Sequence, residues 1–79
     1  LLHHEWWDGR GYPQGLSGEA IPVECRIFAV AEGYDAMTND RPYRNAMHQA
    51  DAVAELRRCA GSQFDPDIVE TFMSILERG

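Results

Sequence analysis

Apolar residues along this chain recur mainly at helical spacing. Ile27, Val30, Tyr34 and Met37 follow one another at intervals of three and four, which predicts one buried stripe on a helix. Pro22 suits the first position of that helix, which runs to about Thr38. Phe28, Glu32 and Asp35 fall on a neighbouring face, and Asn39-Asp40-Arg41-Pro42 breaks the pattern. A further helix spans roughly His48 to Ala60. Ala52, Leu56 and Cys59 line one side of it, Val53 lies close by, and Gly61 is placed to cap its end. Asp65-Pro66 opens the last helix: the carboxylate of Asp65 can accept from free amides, and proline is tolerated at a first helical position. Ile68, Val69, Phe72, Ile75 and Leu76 form its apolar stripe, and Phe64 is placed to plug the junction before it. At the other end, Leu1 to about Trp7 reads as the last turns of a helix whose body lies upstream. Asp8 to Glu19 holds four of the seven glycines plus Pro13 and reads as a loop. Nothing alternates with strand period and no repeat is present, so the expected fold class is all-α, with about four helices.

Size and charge narrow the picture. A chain of 79 residues makes at most one small domain with a marginal core. It opens on Leu1-Leu2-His3 without an initiator Met and reads as an excised piece. A formal net charge of -6 argues against a general nucleic-acid surface, although small anions can still meet local arginine clusters. Cys25 and Cys59 fall inside helical patterns with no Cys-x-x-Cys spacing, which points to free thiols in a reduced, cytosolic compartment. No apolar run approaches the length of a membrane span, and no signal-peptide pattern is present.

Several polar groups carry candidate chemistry. Neighbouring helical residues point about 100° apart. His3 and His4 therefore either present one imidazole to each of two metals, or one to a metal and one to substrate, or sit at a helix end favoured by its dipole. Glu5 either orients a histidine ring as a hydrogen-bond acceptor or is a solvated surface carboxylate. Gly9-Arg10-Gly11-Tyr12-Pro13 is a loop that fixes a tyrosine, or an ordinary connection between helices. Trp6, Trp7 and Tyr12 anchor the core or offer a stacking platform for a purine. Glu32 and Asp35 share one helix face, either as a plain acidic surface or, beside the histidines, as part of a mixed nitrogen and oxygen metal site. Ala31 and Gly33 flank Glu32 and leave room for something bulky. Arg41 and Arg44 bracket Pro42-Tyr43 and are spaced either to grip phosphate oxygens or to make a salt bridge to Asp40 or a helix-end contact. His48 receives no chemical role.

Taken together, His3-His4-Glu5-Trp6-Trp7-Asp8-Gly9-Arg10-Gly11-Tyr12-Pro13, Ala29-Val30-Ala31-Glu32-Gly33-Tyr34-Asp35-Ala36-Met37-Thr38, Asp40-Arg41-Pro42-Tyr43-Arg44 and Ala60-Gly61-Ser62-Gln63-Phe64-Asp65-Pro66 resemble the second half of an HD-GYP domain. That family comprises metal-dependent cyclic di-GMP phosphodiesterases. The resemblance implies that residues 1–79 are the C-terminal portion of a single HD-type helical bundle whose upstream half is missing. It implies that His3 and His4 are metal ligands and that Glu32 stands where the family usually has an aspartate ligand. Gly11-Tyr12-Pro13 would lie by the substrate and is implicated in docking to GGDEF synthase domains; Glu5 and Asp35 are expected around the metal site or this loop without binding the ion directly. Arg41 and Arg44 would hold substrate phosphate. Two or three ions of iron or manganese are implied for the full domain, converting cyclic di-GMP to linear dinucleotide or GMP in the cytoplasm. The histidine-aspartate pair and a lysine of the family would lie before Leu1, so this chain alone is expected to be inactive and to retain no metal. A degenerate module that binds nucleotide or GGDEF partners without catalysis is the competing reading. A nucleotide phosphohydrolase of the broader HD superfamily is disfavoured by the Gly11-Tyr12-Pro13 and Arg41-Pro42-Tyr43-Arg44 motifs. No DNA binding or membrane contact is expected. Self-association through uncovered parts of the Ile27, Val30 and Phe72 stripes is expected.

Overall fold

The structure is a computed structural model that describes residues 4–78. Among these residues it contains three α-helices and no named strand: α1 (Val23–Thr38), α2 (Gln49–Cys59) and α3 (Pro66–Arg78), with a short 3-10 turn at Gly18–Ala20 ahead of them. The helices pack around one cluster. Val30 and Met37 of α1 meet Ala52, Leu56 and Cys59 of α2, and Val69 and Met73 of α3, with Phe64 plugging the α2–α3 corner. The apolar stripes read from the sequence therefore face the core through most of their length.

Two stripe positions do not. Ile27 and Ile75 are half-exposed and line a shallow apolar groove with Ala31, Ile68, Thr71 and Phe72. Periodicity places them on the correct helix faces, but a bundle of three helices has no further layer to cover the outer edge of the α1–α3 seam. Met73, outside the stripe read from the sequence, is buried instead. Helix α1 begins one residue later than expected, with Pro22 as the flanking residue.

The end of the expected opening helix, near Trp7, is also corrected. Its first three residues lie outside the described part, and the chain has left helical geometry by Glu5. The reason lies in where the backbone amides go. Trp7 N–H donates to the Gln63 carbonyl (3.1 Å) and Asp8 N–H to the Ser62 carbonyl (2.9 Å), so these donors serve the loop before α3 rather than a helical ladder.

The start of α3 is a junction of three segments. The Asp65 Oδ1 atom accepts from the Asp67 N–H at 2.9 Å, which is the cap expected from the sequence. Its Oδ2 atom accepts from the Arg26 guanidinium of α1 at 2.8 Å, and Asp65 is only 4 % exposed. Arg26 also donates through Nε to the Ile21 carbonyl at 2.9 Å and lies 5.9 Å from the centre of the Trp7 ring. The N-terminal loop, α1 and α3 are thus held to one another at one point.

Candidate functional site: an open cleft beside α1

The N-terminal segment and the α1–α2 connection face each other across one side of α1. Between them lies an open cleft of about 730 Å³. Its floor is Ala29, Gly33 and Ala36 of α1 together with Phe64. His4, Trp6 and Tyr12 form one wall, and Arg41, Pro42 and Tyr43 the other. Glu32 projects from α1 into the same space. Residues far apart in sequence, His4, Tyr12, Glu32 and Arg41, are therefore brought to one cleft.

The first wall is built by loop closure. Glu5 is 3 % exposed, and its two carboxylate oxygens accept from the Gln14 N–H (2.6 Å) and the Leu16 N–H (2.7 Å). Tyr12 N–H donates to the His4 carbonyl at 3.1 Å. The Tyr12–Pro13 peptide is cis, and the Tyr12 ring lies on the His4 imidazole with centroids 4.9 Å apart and planes within 10°. Arg10 pairs with Asp8 at 2.7 Å and lies 5.7 Å from the centre of the Trp6 ring. The Arg10 hydrogen bond holds the Asp8 carboxyl below its usual range.

Gly11 sits hard against this wall. A Cβ there would overlap the His4 carbonyl oxygen and the Trp6 nitrogen. Both are main-chain atoms and cannot rotate aside. Gly11→Ala is expected to push the loop off the His4–Trp6 segment, costing about 1–3 kcal/mol as an overpacking change. A thermal melt of the variant checks this, and an unchanged midpoint would contradict the close packing.

The second wall is a two-residue turn. Arg41 N–H donates to the Arg44 carbonyl (2.9 Å) and Arg44 N–H donates back to the Arg41 carbonyl (3.2 Å), with Pro42 and Tyr43 at the tip. This turn parts the two arginines. Arg41 lines the main cleft and approaches the exposed Asp35 carboxylate at 3.7 Å. Arg44 donates to the Ala36 carbonyl at 3.1 Å and lines a neighbouring cavity of about 310 Å³ with Met37, Met47, Glu55 and Cys59. The two spaces share Gly33, Ala36, Gln63 and Phe64. Among the described residues Arg41 pairs with Asp35 and Arg44 with the Ala36 carbonyl, whereas the Asp40 carboxylate accepts from the Ala46 N–H at 2.8 Å and shapes the connection.

The i, i+3 carboxylates separate as well. Glu32 faces the cleft, whereas Asp35 accepts from the Asn39 side chain at 2.8 Å at the end of α1. The space beside Glu32 offered by Gly33 is taken by the protein itself, since a Cβ there would lie 2.9 Å from the Phe64 ring. Tyr43 was not singled out by sequence reading. It is 80 % exposed at the cleft rim, and its position between two arginines was the available signal. Cys59 is buried, and burial together with the Glu55 carboxylate raises its thiol above the usual range, so it stays protonated at neutral pH.

His4 and Glu32 offer a nitrogen and an oxygen donor of the kinds that divalent transition metals take. His3 lies outside the described residues, and among those residues no group of three histidine, cysteine, aspartate or glutamate side chains is spaced to hold an ion.

The sequence profile of the HD domain family matches residues 1–68. The chain belongs to the HD-domain family. The superfamily comprises metal-dependent phosphohydrolases, consistent with a divalent metal in general. This HD-domain chain is 43 % identical over 75 residues to a cyclic di-GMP phosphodiesterase of Thermotoga maritima, covering 95 % of this chain and 20 % of that protein. It is 49 % identical over 73 residues to the cyclic di-GMP phosphodiesterase response regulator RpfG of Xanthomonas campestris pv. campestris, covering 92 % and 19 %. The solved structure of a cyclic GMP-AMP-specific phosphodiesterase of Vibrio cholerae superposes with a TM-score of 0.82 at 30 % identity, covering 96 % of this chain and 17 % of that one. The HD-domain chain thus spans about a fifth or less of the length of these relatives.

Proposed function

We propose that these 79 residues form the C-terminal portion of a single catalytic domain in a cytoplasmic, metal-dependent phosphodiesterase that hydrolyses cyclic di-GMP. The observation that carries this reading is the meeting of His4, Glu32, Tyr12 and Arg41 in one cleft. Relatives named as cyclic di-GMP phosphodiesterases support the substrate.

His3, His4 and Glu32 would hold the metal, iron or manganese. When bound, it supplies Lewis acidity and an activated water beside the phosphodiester. The remaining roles fall to the chain's own groups. Arg41 is loosely paired, because Asp35 is 3.7 Å away and well exposed, so its guanidinium can turn to a phosphate at small cost. Arg44 reaches phosphate from the adjoining cavity after giving up its bond to the Ala36 carbonyl. Tyr12 and Tyr43, both largely exposed on opposite walls, offer ring faces to purine bases; such stacking is worth about 1–3 kcal/mol per base. The exposed tip of Gly11-Tyr12-Pro13 is also the surface we assign to GGDEF-type partners. The isolated chain, with too few ligands, is inactive in this reading.

The test is hydrolysis by the intact protein that carries this segment, loaded with manganese or with ferrous iron, against cyclic di-GMP. Chromatography distinguishes linear dinucleotide from GMP as product. Metal-loaded, folded protein that binds cyclic di-GMP without cleaving it would replace this reading with a non-catalytic nucleotide-binding module.

A further inference from the structure

We propose that Glu5 is a positioning residue for this cleft, holding the 11–16 loop so that the Tyr12 ring fixes the orientation of the His4 imidazole. The inference rests on the reading of the cleft as the phosphodiesterase site. Glu5 is one of the two buried charged residues among those described, and it is spent on main-chain amides. Gln14 and Leu16, nine and eleven residues further along, donate one N–H to each oxygen. The loop they belong to touches the His4–Trp7 segment at three more points. Tyr12 N–H meets the His4 carbonyl at 3.1 Å, Gly9 N–H meets the Trp6 carbonyl at 2.9 Å, and Gly18 N–H meets the Trp7 carbonyl at 2.8 Å.

Those backbone bonds hold the two ends and the middle of the loop. The stretch just after Tyr12-Pro13 is held by Glu5. That stretch follows directly on Tyr12-Pro13 and adds to the hold of the Tyr12 N–H on the His4 carbonyl, and the Tyr12 ring is nearly parallel to the imidazole of His4. A ring packed face to face resists rotation of its neighbour, so loop placement is transmitted to the direction in which the His4 nitrogens point.

The requirement is for a carboxylate. A glutamine of the same shape offers one acceptor oxygen and one NH2 group, and the NH2 would confront a second N–H donor. Glu5→Gln therefore releases one amide and repels it, while leaving side-chain volume unchanged.

The experiment uses the intact protein and three readouts: hydrogen exchange by mass spectrometry, bound metal, and steady-state kinetics. Glu5→Gln is expected to speed exchange of peptides covering residues 12–16 about tenfold or more, with peptides from α2 and α3 unchanged. The kcat/KM for cyclic di-GMP is expected to fall about tenfold to a hundredfold. In a Tyr12→Leu background, which also removes the proposed base contact, adding Glu5→Gln is expected to cost little more, because Glu5 acts through that ring. The proposal is overturned if α3 exchange rises together with the loop, which marks a purely structural role. It is overturned if metal is lost while the loop stays protected, or if the two substitutions add in full. Should the wild-type protein fail to cleave cyclic di-GMP, the functional reading fails, and the exchange readout alone still reports whether Glu5 holds the loop.

Discussion

Arg26→Ala is expected to destabilise this fold by about 3–5 kcal/mol, the cost of removing one partner of a buried ion pair. Asp65 is almost fully buried, and Arg26 retains only 16 % of its side-chain surface, so solvent screens the pair little. Removing the guanidinium leaves the Oδ2 atom of Asp65 without its 2.8 Å donor. It also removes the bond to the Ile21 carbonyl and the contact with the Trp7 ring. The cap on α3 through Oδ1 remains, so the loss is in the tie between α1, α3 and the N-terminal loop. Small domains carry about 5–15 kcal/mol in total, and each kcal/mol lowers the midpoint of a domain this size by about 4–8 °C. A midpoint drop of at least about 12 °C in a circular-dichroism melt is therefore expected. Arg57→Ala is the control: its pairing with Glu70 is long, at 3.9 Å, and exposed on both sides, so its loss should cost at most about 1 kcal/mol. Equal melts for the two variants would show that the Arg26–Asp65 tie contributes nothing special. Replacing both partners, as Arg26→Met with Asp65→Asn, should cost less than Arg26→Ala alone, since no buried charge is then left unpaired.

The second large effect separates metal from substrate in the intact protein. His3→Ala, His4→Ala and Glu32→Ala are expected to lower bound metal and take turnover below detection, since each would remove a proposed ligand. Arg41→Ala is expected to keep full metal content and weaken cyclic di-GMP binding about tenfold or more, the equivalent of about 1.5–3 kcal/mol for a charge-assisted contact. Arg44→Ala should show a smaller loss than Arg41→Ala, because Arg44 already donates to the Ala36 carbonyl and lies in the adjoining cavity. Metal analysis beside nucleotide titration reads both arms. Loss of metal in the arginine variants, or full activity in the histidine variants, would reverse these assignments.

Legibility in the sequence follows how local each interaction is. The stripes Val30–Met37, Ala52–Leu56–Cys59 and Ile68–Val69–Phe72 were readable because a helix repeats every 3.6 residues, and burial of one face leaves that period in the composition. The Asp65 cap was readable because its partner amides lie within one turn. Exposure at the outer edge was not: Ile27 and Ile75 obey the period, and only the number of layers leaves them at the surface.

The same division holds in the cleft. Order and spacing of the histidine, Gly11-Tyr12-Pro13, glutamate and arginine motifs sufficed for membership of the HD-domain family and for an all-α fold. Which of those side chains share a cavity was decided by the tertiary structure. Asp35 turns to Asn39 while Glu32, three residues earlier, faces the cleft, and the Arg41–Arg44 turn sends two equivalent cations into different spaces. Arg26 meets Asp65 across 39 residues, and Glu5 meets amides of a loop whose path no periodicity describes. Helix type is written in neighbours one turn apart, so it survives in the one-dimensional pattern. Partners of a buried charge are chosen by how loops close over long separations, and that choice exists only once the helices have packed.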